Sequence, residues 1–271
     1  MAHSFETHVS VAVGTPTAVA LLHETSDLPK QRIKDAMMKG AVWLTRSGYT
    51  QRLRRASRQL RERDTLHLYY DDRVLNETPQ APLLIADNGG YSVWNKPYGL
   101  RSQGSKWGDH CTLMRWAEQH LEPPRTAFTV HRLDRAANGL MLVAHAKTTA
   151  AALAKLFRER HVEKHYQALV VGDCSALTDT LVIDEALDGK RASTEVRLRQ
   201  VVDAGERSWL DVQIHTGRKH QIRRHLAGIG HPVVGDRLYG TGVADGIDLQ
   251  LTACLLAFDC PLSGARVEFR L

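Results

Sequence analysis

HRLDRAANGL, residues 131–140, is the stretch from which the fold and the chemistry of this chain can be inferred. An apolar run, Ala127–Val130, precedes it, and a second one, Leu140–Ala144, follows it. Both runs have the composition of short strands, and the Asn-Gly dipeptide between them is a turn signal. Asp134 is therefore expected on a loop between two strands. The arginines that flank it favour the ionised carboxylate, which can act as a nucleophile or as a general base.

This stretch closely resembles the signature of the RluA-type RNA pseudouridine synthases, His-Arg-Leu-Asp-Arg followed by a short polar turn and Gly-Leu. Neighbouring Asp and Arg are common on solvated loops, and it is the resemblance that favours a function. In that family the aspartate is the catalytic residue, which implies this role for Asp134. Ala136, Ala137 and Asn138 stand where the family commonly has Asp, Thr and Ser. The hydrogen bonding of the loop is therefore expected to differ from the family's.

Other stretches resemble the same family and follow in its order. They are Asn-Lys-Pro-Tyr-Gly at 95–99, Lys-x-Tyr-x-Ala at 164–168, Thr-Gly-Arg-Lys-His-Gln-Ile-Arg-Arg-His-Leu at 216–226, and Gly-Asp with Tyr-Gly at 235–240. Thr252 and Cys260 stand where the family often has His. The resemblance implies an α+β catalytic domain with a mixed, largely antiparallel sheet and an active cleft across it. Periodicity alone predicts only alternating strands with interspersed helices.

The resemblance also implies roles for single residues. Asp134 would either attack C1′ of a uridine or remove its 2′ proton, and the sequence leaves both open. Tyr166 would lie against a flipped base, Arg218 would pair with Asp134, and Arg132 would fill the gap that the base leaves. Taken singly, Tyr166 could equally be a half-buried strand aromatic and the arginines ordinary surface charges. The expected phosphate contacts of this domain are Lys164 and Lys219.

Positive charge is concentrated near the N-terminus. The whole chain carries +6, but residues 28–63 hold eleven lysines and arginines against two acids, a net +9, which leaves −3 for the rest. A helix is expected to start near Pro29 and to end at Gly40, and strands follow it. This order is similar to the αL RNA-binding module first known from a small-subunit ribosomal protein. The basic residues expected to contact RNA here are Lys30, Lys34, Arg54 and Arg58.

These patterns predict two domains: an αL-like RNA-binding domain at 1–73, a linker at 74–83 and a catalytic domain at 84–271. The linker is inferred from its prolines, which lack an N–H to donate. Within the first domain, the β-branched run Val9–Val13 predicts a strand. Leu53, Ala56 and Leu60 form a weak helical stripe among the arginines.

The expected function is an RNA pseudouridine synthase that isomerises uridine in ribosomal or transfer RNA. Such an isomerisation needs no redox change and no activated donor, so no cofactor is expected. His161 and His165 lie four apart but lead into a strand, where they would diverge, so no metal site is expected. No apolar run approaches the roughly 20 residues of a membrane span. The N-terminus lacks a signal-peptide layout, so the expected location is the cytoplasm. The sequence does not indicate an oligomeric state, and a monomer is taken as the default.

A non-catalytic RNA-binding protein or RNA chaperone is the alternative function. The basic N-terminal segment alone would be compatible with it. Asp134 argues against it, because a carboxylate in a basic groove repels phosphate and gives a pure binding protein nothing in return.

Overall fold

The computed structural model describes residues 4–12, 17–240 and 246–271. The chain divides into two compact units. One comprises Met1–Pro79 and Gln103–Trp116, and the other comprises Gln80–Ser102 and Ala117–Leu271. The sequence had placed residues 103–116 in the catalytic domain. In the structure this segment belongs to the N-terminal unit instead. Within the described residues, no helix is both long and apolar enough to cross a bilayer.

The N-terminal unit is a four-stranded antiparallel sheet with helices on one face. Its elements are β1 (Ser4–Ser10), α1 (Ala18–Ser26), α2 (Lys30–Met38), β2 (Val42–Arg46), β3 (Tyr49–Arg52), β4 (Thr65–Asp71) and the single turn α3 (Asp72–Leu75). The strands are ordered β1-β4-β2-β3. Apolar residues at helical spacing on α2, such as Ile33 and Met37, are fully buried against alternate residues of β4, such as Leu66 and Leu68. This packing explains why a short, highly basic helix forms here.

Local predictions for this unit have mixed outcomes. The helix after Pro29 is present, and Gly40 follows it with a φ of 81°, a conformation that glycine adopts at little cost. The prediction of a helical stripe after β3 is wrong, because residues 53–64 form turns and extended chain. Leu53 and Leu60 are instead buried as single anchors of this loop. The strand predicted at Val9–Val13 overlaps β1, and Val13 lies outside the described residues.

Ion pairs explain why residues 103–116 belong to the N-terminal unit. The Asp109 carboxylate accepts a hydrogen bond of 2.8 Å from Arg52 Nε and a second bond from Arg54. The indole of Trp43 donates to the Lys106 carbonyl at 3.0 Å, and Lys106 forms an ion pair of 2.7 Å with Glu6. Part of the arginine-rich segment therefore serves to hold a distant segment of the same chain.

The second unit is built on a ten-stranded mixed sheet. Its strands are β5 (Leu83–Asp87), β6 (Tyr91–Lys96), β7 (Phe128–Thr129), β8 (Asn138–Ala144), β9 (Glu163–Val171), β10 (Leu181–Ile183), β11 (Thr194–Val202), β12 (Arg207–Ile214), β13 (Leu251–Asp259) and β14 (Arg266–Arg270). The main order is β10-β11-β12-β9-β13-β8-β6-β5, with β14 beside β13 and β7 beside β8. Only β8 and β13 pair in parallel among the described strands. The α+β class with a largely antiparallel sheet is confirmed.

Among the described residues of this unit, two helices lie wholly within it: α5 (Lys147–Glu159) and α6 (Gln221–Gly228). A further helix, α4 (Leu113–His120), has its first half in the N-terminal unit and its second half in this one. Strand β8 is buried along almost its whole length, as its apolar sequence predicts. Gly139 lies on this strand with a φ of 114°, and a Cβ atom there would be 2.3 Å from the Ala253 carbonyl oxygen of β13. The backbones therefore meet closely at the start of β8, directly after the loop that carries Asp134.

Candidate active site

The loop that carries Asp134 is pinned by hydrogen bonds at residues on either side of the acid. Ser102 Oγ donates to the Leu133 carbonyl at 2.6 Å and accepts from the Leu133 amide at 3.0 Å. The Gly99 amide donates to the Arg135 carbonyl at 2.9 Å. The side chain of Leu133 is buried, whereas that of Asp134 is 31% exposed. Because the buried Leu133 anchors the loop, the neighbouring Asp134 carboxylate is held at its surface.

Asp134 opens onto a cavity of 690 Å³. The segments that contribute to its lining include the Asp134 loop, the end of α5, β9, the end of β12 and the start of α6. Its charged walls are strongly positive. The lining cations are Arg132, Arg158, Arg160, Lys164, Arg218 and Arg223. A cavity of this size and charge suits a phosphorylated nucleotide unit.

Two nitrogen-bearing side chains from the start of α6 contact Asp134. Arg223 Nη1 is 3.5 Å from Asp134 Oδ2, and His220 Nε2 is 3.8 Å from Asp134 Oδ1. Arg223 is 5% exposed and forms two further bonds of 2.7 Å to Asp236. Burial opposes its charge, but the bonds to Asp236 and the charges of both aspartates raise the pKa of Arg223. The acid therefore always faces a cation.

Arg218 was expected to pair with Asp134, and this prediction is wrong. Arg218 Nε donates to the Arg191 carbonyl at 2.9 Å. Arg218 and Arg223 belong to the same motif and line the same cavity, but α6 begins only at Gln221. Arg218 lies in the turn before the helix, whereas Arg223 is in its first turn and points at the acid loop.

Tyr166 lies on β9, half-buried, and lines the cavity. Burial raises the pKa of its phenol, and the negative charge of Asp134 raises it further. The phenol is therefore neutral at physiological pH and can donate a hydrogen bond. Asp134, Tyr166 and Arg223 come from three segments that are far apart in the sequence, and the fold brings them to one cavity.

A model of the family described as RNA pseudouridylate synthase matches residues 90–228 of this chain. The chain belongs to the RNA pseudouridylate synthase family. An uncharacterised RNA pseudouridine synthase of Aquifex aeolicus is 33% identical over 236 residues, which cover 79% of this chain and 73% of the relative. The dual-specificity RNA pseudouridine synthase RluA of Escherichia coli O6:H1 is 31% identical over 71% of this chain and 94% of its own.

A solved structure shares this fold. The human RNA pseudouridylate synthase domain containing 1 superposes with a TM-score of 0.59 and 26% identity, covering 72% of this chain and 86% of that one. The protein is accordingly an RNA pseudouridine synthase, an isomerase that acts on RNA. The non-catalytic alternative is set aside.

Lys96 is a buried lysine whose importance the sequence did not reveal. Lys96 is fully buried at the end of β6. Its Nζ donates to the carbonyls of Pro97, Leu100 and Ala137 at 3.1, 2.9 and 2.6 Å. It therefore ties the Asn-Lys-Pro turn to the loop of Asp134. Burial lowers the pKa of Lys96 to about 7, while the charge of Asp134 raises it and that of Arg135 lowers it. A lysine with so few water contacts is rare.

His131, the first residue of the signature, is a packing residue in this synthase. Its ring stacks on Phe157 at a centroid distance of 4.3 Å, and its Nε2 accepts from the Leu142 amide at 3.0 Å. Burial lowers the pKa of His131 to about 3, and the charge of Lys164 lowers it as well. The imidazole is therefore neutral and fixes the start of the loop that carries Asp134.

Two departures from the family pattern contact each other in this synthase. Thr252 Oγ1 on β13 donates to Asn138 Oδ1 on β8 at 2.7 Å. Asn138, directly after the loop, is thus tied to β13 across the parallel strand pair.

The residues expected to bind RNA have different environments. Lys30, Lys34, Arg58, Arg132 and Lys219 are exposed. Lys164 is buried at the cavity wall, where burial lowers its pKa to about 8 and Arg160 lowers it further. Arg54 is engaged with Asp109 and with the Met38 carbonyl, so the prediction that it faces RNA is not supported.

Proposed function

We propose that Asp134 is the catalytic residue with which this synthase converts uridine to pseudouridine in the 690 Å³ cavity. The observation that carries the proposal is a carboxylate held against the buried Arg223 in a cavity whose other charged lining residues are arginines and a lysine. An acid in such a place repels the phosphates of RNA, so its presence has to serve chemistry rather than affinity.

The isomerisation breaks the bond between C1′ and N1, forms a bond between C1′ and C5, and moves the C5 proton to solvent while N1 gains one. Asp134 acts either as a nucleophile at C1′ or as the base that removes the 2′ proton. Both roles require a carboxylate oxygen in a fixed direction, and Arg223 Nη1 faces Asp134 Oδ2 from 3.5 Å. Tyr166 lies against the flipped base, where its neutral phenol relays the C5 proton: the phenol oxygen takes up that proton while the hydroxyl proton passes to solvent.

The target base has to leave its stack, at a cost of a few kcal/mol. Arg132 is exposed beside Asp134, and within residues 4–12, 17–240 and 246–271 it makes no hydrogen bond or ion pair. A free planar guanidinium at the mouth of the cavity can stack in the gap that the base leaves. Lys164, Lys219 and Arg218 would contact phosphates around it.

The RNA is ribosomal or transfer RNA, and the basic α2 face with Lys30 and Lys34, together with Arg58, adds affinity for its backbone. Relatives named large-subunit pseudouridine synthase D and dual-specificity synthase RluA are compatible with this range. We further expect the protein to act as a monomer in the cytoplasm, without a metal or a cofactor.

The experiment compares Asp134→Asn with Asp188→Asn. Both variants remove one negative charge, but Asp188 is an exposed partner of Arg224. Pseudouridine is mapped across total RNA from cells that carry each variant or lack the protein, and RNA affinity is measured in parallel. Asp134→Asn should abolish every modification that depends on the protein while RNA affinity stays nearly unchanged. Conversion by Asp134→Asn at the rate of Asp188→Asn would reject the proposal.

A further inference from the structure

The turn from Gly235 to Gly240 resembles a family motif, and the catalytic proposal above gives it no task. In the structure it lies behind the two side chains that contact Asp134. Asp236 Oδ2 and Oδ1 accept from Arg223 Nε and Nη2, both at 2.7 Å. Tyr239 contacts His220 through a hydrogen bond of 3.0 Å between its hydroxyl and His220 Nδ1. Arg223 and His220, the two side chains that contact Asp134, are thus both hydrogen-bonded to residues of this turn.

The side chain of Asp236 is fully enclosed, with 0% exposure. Its Oδ1 also accepts from the amides of Leu238 and Tyr239 at 2.9 and 3.1 Å. These bonds fix the carboxylate to the backbone of its own turn, so it has one orientation to offer to Arg223. Asp236 does not line the cavity.

The turn itself has little room to move. A Cβ atom at Gly235 would be 2.5 Å from the Asp248 carbonyl oxygen, and one at Gly240 would be 2.3 Å from the Asp236 carbonyl oxygen. Both glycines therefore permit a close backbone approach that another residue would prevent. The result is a stiff support for the Asp236 carboxylate.

A guanidinium is planar, and a bidentate bond to one carboxylate fixes the direction of its remaining N–H groups. Here the bond to Asp236 uses Nε and Nη2, and Nη1 is left to face Asp134 at 3.5 Å. The ring of Tyr239 lies 5.1 Å from Arg223 Cζ and limits rotation of the guanidinium out of this plane.

We propose that Asp236 is a positioning residue of the catalytic centre: it acts through Arg223 to set the direction in which Asp134 is held. This inference rests on the proposed role of Asp134. Asp236 is not expected to touch RNA, so its effect should fall on the rate of conversion and leave binding alone. A displacement of reacting groups by about 1 Å can cost about 10²-fold in rate.

The test uses Asp236→Asn in the full chain, with Asp188→Asn as the matched control. Asp188 forms a two-bond ion pair with Arg224, the next residue of α6, at 3.0 and 3.2 Å, but it is 69% exposed. Asp236→Asn should lower kcat by about 10²-fold, while KM and the Kd for RNA change less than about twofold. The control should leave all three unchanged. A normal kcat for Asp236→Asn, or a fall in kcat matched by an equal loss of RNA binding, would overturn the inference.

Arg223→Lys is the second variant, because it keeps a cation on α6 and loses only the planar fork. If Asp236 acts through Arg223, the double variant should be no slower than the slower single variant, whereas independent effects would multiply. Multiplying effects would overturn the inference. Conversion by Asp134→Asn would remove the catalytic proposal and this inference together. An inactive Asp134→Asn beside a fully active Asp236→Asn would remove only the inference.

Discussion

Replacement of Lys96 by methionine tests how the loop that carries Asp134 is held. The stem of the side chain keeps its length, and the three bonds from Nζ to the Pro97, Leu100 and Ala137 carbonyls are lost. Burial lowers the pKa of Lys96 to about 7, against about 10.4 in an unfolded chain. Between these values the unfolded state binds more protons than the folded state. The free energy of unfolding must therefore rise with pH across this window.

The size of this rise follows from linkage. A single proton contributes up to about 1.4 kcal/mol for each pH unit, which amounts to about 5 kcal/mol between pH 7 and pH 10.4. Methionine binds no proton, so the rise should be missing from Lys96→Met. The stability of the wild type relative to the variant should increase by several kcal/mol from pH 7 to pH 10.

Hydrogen exchange of peptides from β6 and β8 during urea unfolding gives the free energy of unfolding of this unit at each pH. Lys147→Met is the control, since Lys147 is exposed on α5 in the same unit. It should follow the wild type. A stability difference between wild type and Lys96→Met that stays constant from pH 7 to pH 10 would refute the reasoning. It would mean that the three carbonyls solvate the Lys96 ammonium as well as water does, so that folding does not lower its pKa.

Three further outcomes are expected. Tyr166→Phe keeps the packing of β9 but removes the phenol, so conversion should slow by about 10²-fold or more at unchanged RNA affinity, and an unaltered single-turnover rate would limit Tyr166 to packing. Arg223→Met leaves the enclosed Asp236 carboxylate without a cation, so thermal or urea unfolding at pH 7 should show a loss of about 3–5 kcal/mol. That loss should shrink towards pH 5 as Asp236 takes up a proton, and equal losses at both pH values would contradict this. Lys30→Gln with Lys34→Gln should reduce the slope of log affinity for RNA against log salt concentration by about 1–2, and an unchanged slope would exclude a phosphate contact at α2.

The loop that carries Asp134 could be predicted from the sequence because its signals are local. An apolar run, a charged connection and a second apolar run specify a strand, a loop and a strand without reference to the rest of the chain. The turn predicted at Asn138-Gly139 is wrong, because both residues already belong to β8 and the turn lies at residues 135–136. The α+β class followed from the family resemblance, since periodicity does not specify how strands are ordered. The mixed sheet depends on one parallel pair between β8 and β13, which are more than a hundred residues apart.

The partner of Asp134 could not be predicted in the same way. Arg218 and Arg223 lie in one motif, and the choice between them depends on where α6 begins. His220 precedes the helix with a φ of 53°, a left-handed conformation that is uncommon for a residue with a side chain. That turn directs the two arginines differently, and no pattern in the residues indicates it.

Long-range partners account for the remaining errors. Arg54 is one of many arginines in its segment, and it is removed from the RNA-binding set by Asp109, which lies 55 residues later. The burial of Lys96 depends on three carbonyls that the loops bring together only in the folded chain. In the sequence, Arg54 and Lys96 cannot be distinguished from arginines and lysines that are exposed at the surface.

The bond between Thr252 and Asn138 makes two unusual residues depend on each other. If a design restores the family consensus at only one of these sites, a serine at 138 or a histidine at 252 replaces one partner of this bond. The residue that remains then loses its present partner. Because one bond joins the two residues, the two strands that carry them are best exchanged together when loops are grafted between members of this family.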